Sequence, residues 1–219
     1  MLASLTMPER ETAVEIRRLC CASCRARLSR VPELLTGPAF VRLFTSFERT
    51  ARRLETRDRD AADQALFEQW LAGELPEPAV ADKVVVWLDQ VRGATAAGKR
   101  YERVRVVQEP PTAYQRFALA TCRRSVAADE DIRYLNRDQA NELDLPGHDF
   151  WLFDDDRLVL LYLTADDRTL GEQVIADPAV AQQHRQWFER AQASAMPYTA
   201  YLAQDPAREL RPNKPPSSA

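Results

Sequence analysis

Apolar residues recur along the chain with two different periods, and the change from one to the other falls near its middle. From Glu11 to Val31, Ile16, Cys20, Cys24, Leu28 and Val31 repeat at helical spacing, with Arg17, Arg18, Arg25 and Arg30 elsewhere. That pattern predicts an amphipathic helix ended by Pro32. A second helix is predicted from about Pro38 to Arg57, with Thr36 before it as cap and Phe40, Phe44, Phe47, Ala51 and Leu54 as its buried stripe. A third, near Asp63 to Ala72, carries Leu66, Phe67, Trp70 and Leu71 and stops at Gly73. A fourth begins at Asp82, with Val84, Val85, Trp87, Leu88 and Val91 in helical register, and closes at Gly98.

Beyond Gly98 the period shortens. Arg103 to Val107 and Asp131 to Leu135 read as strands, and Thr112 opens a helix between them. His148 to Leu163 reads as two strands around an acidic turn at Asp154, Asp155 and Asp156, and Gly171 to Ala176 as a further strand. Asp177 caps a closing helix with Pro178 at its first position and Val180, His184, Trp187, Phe188 and Ala191 toward the core. Crossover helices between strands imply parallel pairs, and the hairpin adds an antiparallel portion. The fold class expected is α/β, a mixed sheet flanked by helices with a helical N-terminal part. Residues 1–33 are expected as a helical extension and 34–203 as one α/β domain, helical over 34–80 with the sheet in 81–203. The tail, 204–219, is expected to be disordered.

Composition narrows the function classes. The chain has 219 residues, 45% hydrophobic and 29% charged, enough for one substantial core. Its formal net charge of -3 argues against direct nucleic-acid binding, which draws on a surplus of Lys and Arg. No apolar run approaches the roughly 18–20 residues of a membrane span, and the N-terminus breaks into charge too early for a secretory signal. A cytoplasmic location follows by elimination. Three of the four cysteines, Cys20, Cys21 and Cys24, cluster in the first helix, whereas Cys122 stands apart. A structural zinc needs four ligands, and two of the three lie on the apolar stripe, so they read as small hydrophobes and no metal or other cofactor is expected. The three aspartates of the turn read as solvated rather than as a cation site, because a hairpin turn splays adjacent side chains.

Two arginine groupings remain. Arg49, Arg53 and Arg57 stand four apart, and on the predicted second helix they form one stripe able to dock an acidic partner. Arg103, Arg105, Glu130 and Arg133 alternate on neighbouring strands, with Trp151 nearby; they read either as a buried charge network or as the lining of a pocket at the sheet's carboxyl end.

The order helix, strand, helix, strand, hairpin, strand, helix resembles a phospholipase-D-type half-domain, whose hairpin opens with His-x-Lys-x-x-x-x-Asp. His148 and Asp155 keep the outer places, and Phe150 stands where that family has lysine. In the family the histidine attacks phosphorus and the lysine holds charge developing on the phosphoryl oxygens; a phenyl ring does neither. Val174 to Pro197 also resembles the end of catalytically silent half-domains joined to helix-turn-helix regulators. Across its length from about Leu34 to Leu202 the chain is similar to an actinobacterial family of unknown function, DUF6879, in RRLETRD (Arg52 to Asp58), ERVRVV, EDIRYL, HDFWLFDDDR and the DPAV helix. These resemblances imply a non-catalytic regulatory protein that binds a partner, a helix-turn-helix regulator, and that pairs as a homodimer. The alternatives are a phosphodiesterase using His148 and Asp155 with a cation borrowed from Arg133, Arg157 or a second subunit, and a small-ligand sensor.

Overall fold

The computed structural model describes residues 34–35, 37–60, 63–74, 82–163 and 169–205. The predicted first helix with Cys20, Cys21 and Cys24, and nearly all of the predicted tail, lie outside them. Two single turns, α1 (Pro38–Val41) and α2 (Leu43–Ser46), lead into β1 (Thr50–Glu55). Then come α3 (Gln64–Ala72), α4 (Asp82–Ala96), β2 (Arg100–Val107), α5 (Ala113–Ala127), β3 (Asp131–Asn136) and α6 (Arg137–Glu142). The hairpin β4 (Phe150–Phe153) and β5 (Arg157–Leu163) follows, then β6 (Thr169–Ile175), α7 (Pro178–Ser194), β7 (Met196–Pro197) and α8 (Tyr198–Gln204).

The strands form one mixed sheet of seven, in the order β6-β5-β4-β1-β2-β3-β7. β1, β2 and β3 run parallel, and β4, β5 and β6 are antiparallel neighbours. Capping follows the sequence signals. Thr112 and Gln115 close a reciprocal capping box on α5, and Asp177 accepts from Ala179 and Val180 at the start of α7. Gly73 ends α3 at φ 79°, a left-handed value that favours glycine.

The expected second helix is replaced. Only 38–46 is helical; Thr50–Glu55 is a strand, and it lies at the centre of the sheet between β4 and β2. The segment expected to be purely helical thus supplies the middle of the sheet, so 34–80 and 81–203 share one core. Ala51 and Leu54 are buried as expected, but on opposite faces. Ala51 packs with Phe44, Phe47, Tyr101 and Phe153, and Leu54 with Val104, Phe150 and Phe188 under α7. Such a two-sided strand carries apolar residues at spacings that mimic a helical stripe.

The two sheet faces differ in character. Under α7 the core is apolar, built from Leu54, Val104, Leu135, Leu152, Leu158 and Phe188. On the other face the aromatic cluster around Phe44, Trp87, Tyr101 and Trp151 gives way, toward the carboxyl ends of the parallel strands, to charge. No helix among the described residues is long and apolar enough to cross a membrane.

Candidate functional site

Register creates the charged zone. Parallel pairing sets Arg53 beside Arg103 and Glu55 beside Arg105, and antiparallel pairing sets Arg53 beside Trp151. Residues two apart on a strand share a face, so Arg53, Glu55, Arg103 and Arg105 all point to the same side of the sheet.

Glu55 is the hub. Its Oε1 lies 2.9 Å from Arg53 Nε and 3.2 Å from Arg103 Nη1, and its Oε2 lies 2.5 Å from Arg105 Nε. Burial alone would push its carboxyl upward, but the three guanidinium groups prevail and hold it well below the ordinary range. Arg103 reaches the other way to Glu130 Oε1 at 2.7 Å, and burial notwithstanding, its carboxylate partners Glu130 and Glu55 strengthen its hold on its proton. The Arg53 guanidinium lies over the Trp151 ring, 5.2 Å from its centre.

Above this hub a pocket of about 110 Å³ opens at the carboxyl ends of β1 and β2. Arg53, Glu55, Arg103 and Arg105 form its floor, and Asp63, Tyr114 and Asp149 belong to its walls. β4 lies antiparallel on one flank of β1 and β2 parallel on the other, and the pocket opens at the carboxyl ends of the parallel pair, the end at which open α/β sheets hold ligands. Asp149, just ahead of β4, is buried; its Oδ1 accepts from the amides of Thr56 and Arg57 at 2.7 and 3.2 Å and from the Thr56 hydroxyl at 3.1 Å. Burial, reinforced by Glu55, still raises its carboxyl above the usual value. Asp63 is raised as well, by burial and by the neighbouring Asp60. The Tyr114 hydroxyl, 3.4 Å from Asp63 Oδ2, is pushed up by burial and then by Asp63.

The residues expected as sites divide accordingly. Arg103 and Arg105 line the pocket, Glu130 anchors Arg103 from below, and Trp151 supports Arg53. Arg133 belongs to the opposite face, where it pairs with Asp131 at 3.0 Å and meets the Gln192 carbonyl of α7. The stripe of Arg49, Arg53 and Arg57 does not exist, because the helix that would carry it is a strand with loops on either side. Arg49 donates to the Asp154 carbonyl at the hairpin, Arg53 lies in the hub, and Arg57 follows β1 at the pocket. Sequence reading passed over Glu55, Asp63, Tyr114 and Asp149. Glu55 alone left a trace, an acidic residue within a run of arginines in a strand buried on both faces.

His148 and Asp155 are far apart. They flank the two ends of β4, whose four residues alone span roughly 10 Å at ~3.3 Å per residue. The His148 ring is buried, with Nε2 3.0 Å from Nε2 of His184 on α7, and Phe150 is completely buried beside them. Asp155 pairs with Arg52. The cations considered as replacements are engaged elsewhere, Arg133 with Asp131 and Arg157 with Asp154. In the turn, Asp154 accepts from the amides of Glu48, Arg49 and Thr50 and so stitches the hairpin to β1. Among the described residues no group of three or more His, Cys, Asp or Glu is placed to hold a metal ion.

A family model, described as a domain of unknown function (DUF6879), matches residues 38–203. No curated protein matches the chain. Among solved structures, TrmBL2, an archaeal chromatin protein whose structure is described as showing a novel mode of DNA binding, aligns at 13% identity with a TM-score of 0.41. The alignment covers 86% of this chain and 62% of that one, so this chain spans less than two thirds of that protein's length.

Proposed function

The chain belongs to the DUF6879 family, and from that premise we propose that it is a non-catalytic regulatory protein that binds a small polar ligand in the pocket at the carboxyl ends of β1 and β2. One observation carries the reading. Arg53 and Arg105 both turn Nε toward the single buried carboxylate of Glu55, Arg105 in a hydrogen bond and Arg53 in an ion pair, and among the described residues their terminal nitrogens make no hydrogen bond to a protein acceptor. Guanidinium groups held rigidly in a recess, with donors unspent, are preorganised to receive a ligand.

The element order from α4 to α7 supports reading this part as a phospholipase-D-like half-domain without its chemistry. The separation of His148 from Asp155 gives the phosphodiesterase alternative no geometric support. Ligand occupancy would be read by a protein partner. The resemblance of Val174 to Pro197 to half-domains attached to helix-turn-helix regulators favours a partner of that kind and a homodimeric state.

Native mass spectrometry of the purified chain, after incubation with a protein-free small-molecule extract of its host, tests the reading. We expect a bound species that disappears in a folded Arg105→Gln variant. An extract that leaves no adduct, or an adduct indifferent to Arg105, refutes it.

A further inference from the structure

Asp63 and the pair Arg53 and Arg105 line one pocket and influence one another electrostatically, yet no ion pair joins the aspartate to either arginine. Among the described residues, the Asp63 carboxylate takes a single side-chain hydrogen bond, from the Tyr114 hydroxyl at a long 3.4 Å. At the floor, among the described residues, the terminal nitrogens of Arg53 and Arg105 make no hydrogen bond to a protein acceptor, and Arg53 Nε is buried without a well-aligned hydrogen bond. Opposite charges have been brought into one recess and held apart, each short of partners.

Other carboxylates of the lining are spent on other partners. Glu55 is consumed by three guanidinium groups, Asp149 accepts from the Thr56 and Arg57 amides, and Asp58 is taken by Arg137, Gln115 and Gln108, at 2.7, 2.9 and 3.1 Å. A plain anion would find the arginines but also face Asp63 and Asp149 across a small space, and a plain cation would meet the reverse. A molecule with both signs, spaced by a short link, meets the arginines of the floor and the Asp63 wall each with its complement. The volume agrees: about 110 Å³, at roughly 10–15 Å³ for each water-sized position, has room for a ligand of free amino-acid size.

Resting on the pocket reading above, we propose that the ligand is a small zwitterion of free amino-acid size. Its carboxylate takes the terminal nitrogens of Arg53 and Arg105, and its ammonium takes Asp63 beneath the Tyr114 hydroxyl. Binding bridges the arginine floor and the Asp63 wall without any covalent step.

The probe set is the twenty free amino acids with β-alanine and 4-aminobutyrate, each at millimolar concentration with the full chain, read by thermal unfolding and then titration calorimetry. We expect one or a few to raise Tm by several degrees. For each of those, the carboxamide analogue and the decarboxylated amine should bind at least tenfold more weakly. Arg105→Gln should abolish the response. Asp63→Asn, at the pocket wall and away from the Glu55 hub, provides a variant expected to stay folded by circular dichroism. It should lose at least tenfold for the zwitterion while gaining affinity for acetate or propionate. If acetate, propionate or inorganic phosphate binds in an Arg105-dependent way while no zwitterion does, this inference is overturned and the pocket reading survives. If nothing in the set binds a demonstrably folded chain, this inference is likewise overturned, and the extract experiment separately decides whether the pocket binds anything.

Discussion

His148 Nε2 lies 3.0 Å from His184 Nε2, joining the entry of β4 to the middle of α7. His184 Nδ1 is 2.8 Å from the Val180 carbonyl, which can only accept, so the proton of that ring sits on Nδ1 and its Nε2 accepts from His148. The two rings are enclosed by Phe150 and Trp187. Each ring is a hydrogen-bonded part of the interface under α7.

That arrangement makes stability depend on pH. Burial, with His148 adding to it and the Val180 hydrogen bond opposing it, lowers His184 from 6.5 to about 4. Below pH 6.5 the unfolded chain takes up a proton that the native ring refuses until about pH 4. Stability is therefore unaffected by this group at pH 7 and falls as the pH drops through that window, by about 1.4 kcal/mol per pH unit. Urea unfolding at several pH values between 7 and 4.5 measures the slope, which His184→Gln should flatten. An unchanged slope would assign the effect to another group.

Replacing Glu55 with Gln retains its shape but removes the charge that three arginines share. Breaking a buried ion network from one side leaves uncompensated charge, and the expected loss is about 3–5 kcal/mol. Chemical denaturation should show it as a lower midpoint with the slope unaltered. A loss under about 1 kcal/mol would mean that water already screens the hub and that the pocket is wetter than its geometry indicates.

Asp154→Ala strips the acceptor from three consecutive amides, those of Glu48, Arg49 and Thr50, and the Arg157 partner at 2.9 Å. Burial opposes ionisation here, but these donors outweigh it and hold the Asp154 carboxyl below its ordinary value. The expected cost is about 1–3 kcal/mol. Hydrogen exchange should localise it, with faster exchange at the start of β1 and in the β4–β5 turn than in α7. Uniform acceleration would contradict a local role.

Much of the architecture was legible because local signals and global fold agree. Thr112, Asp177, Pro178 and Gly73 mark their helix ends in sequence and in structure alike. The strand Thr50–Glu55 was not legible, because a central strand buried on both faces loses the alternation that identifies half-buried strands. The site suffered from the same error. With 38–57 read as a helix, Arg53 faced solvent with Arg49 and Arg57; as a strand it faces Arg103, and Glu55 becomes the counter-ion of the whole cluster. Asp63, Tyr114 and Asp149 come from three segments that only the crossover connections bring together, and no spacing along the chain reports that.

Restoring the lysine that the phospholipase-D resemblance calls for asks whether the scaffold is an enzyme short of one residue. Phe150 is fully buried, its ring edge-on to His184 with centroids 4.9 Å apart, and it packs in the same core as Leu152, Leu160 and Phe188. An ammonium at that position would lack a carboxylate, since Asp155 lies beyond the far end of β4 and is paired with Arg52. Phe150→Lys should therefore cost several kcal/mol, on the order of a broken buried charge pair, and should gain no turnover of bis(p-nitrophenyl) phosphate. Phe150→Leu, which keeps the site apolar, should cost only about 1 kcal/mol. A folded lysine variant that hydrolyses the diester, with activity lost on adding His148→Ala, would show that the two histidines can part to form a working site and that the non-catalytic reading is wrong.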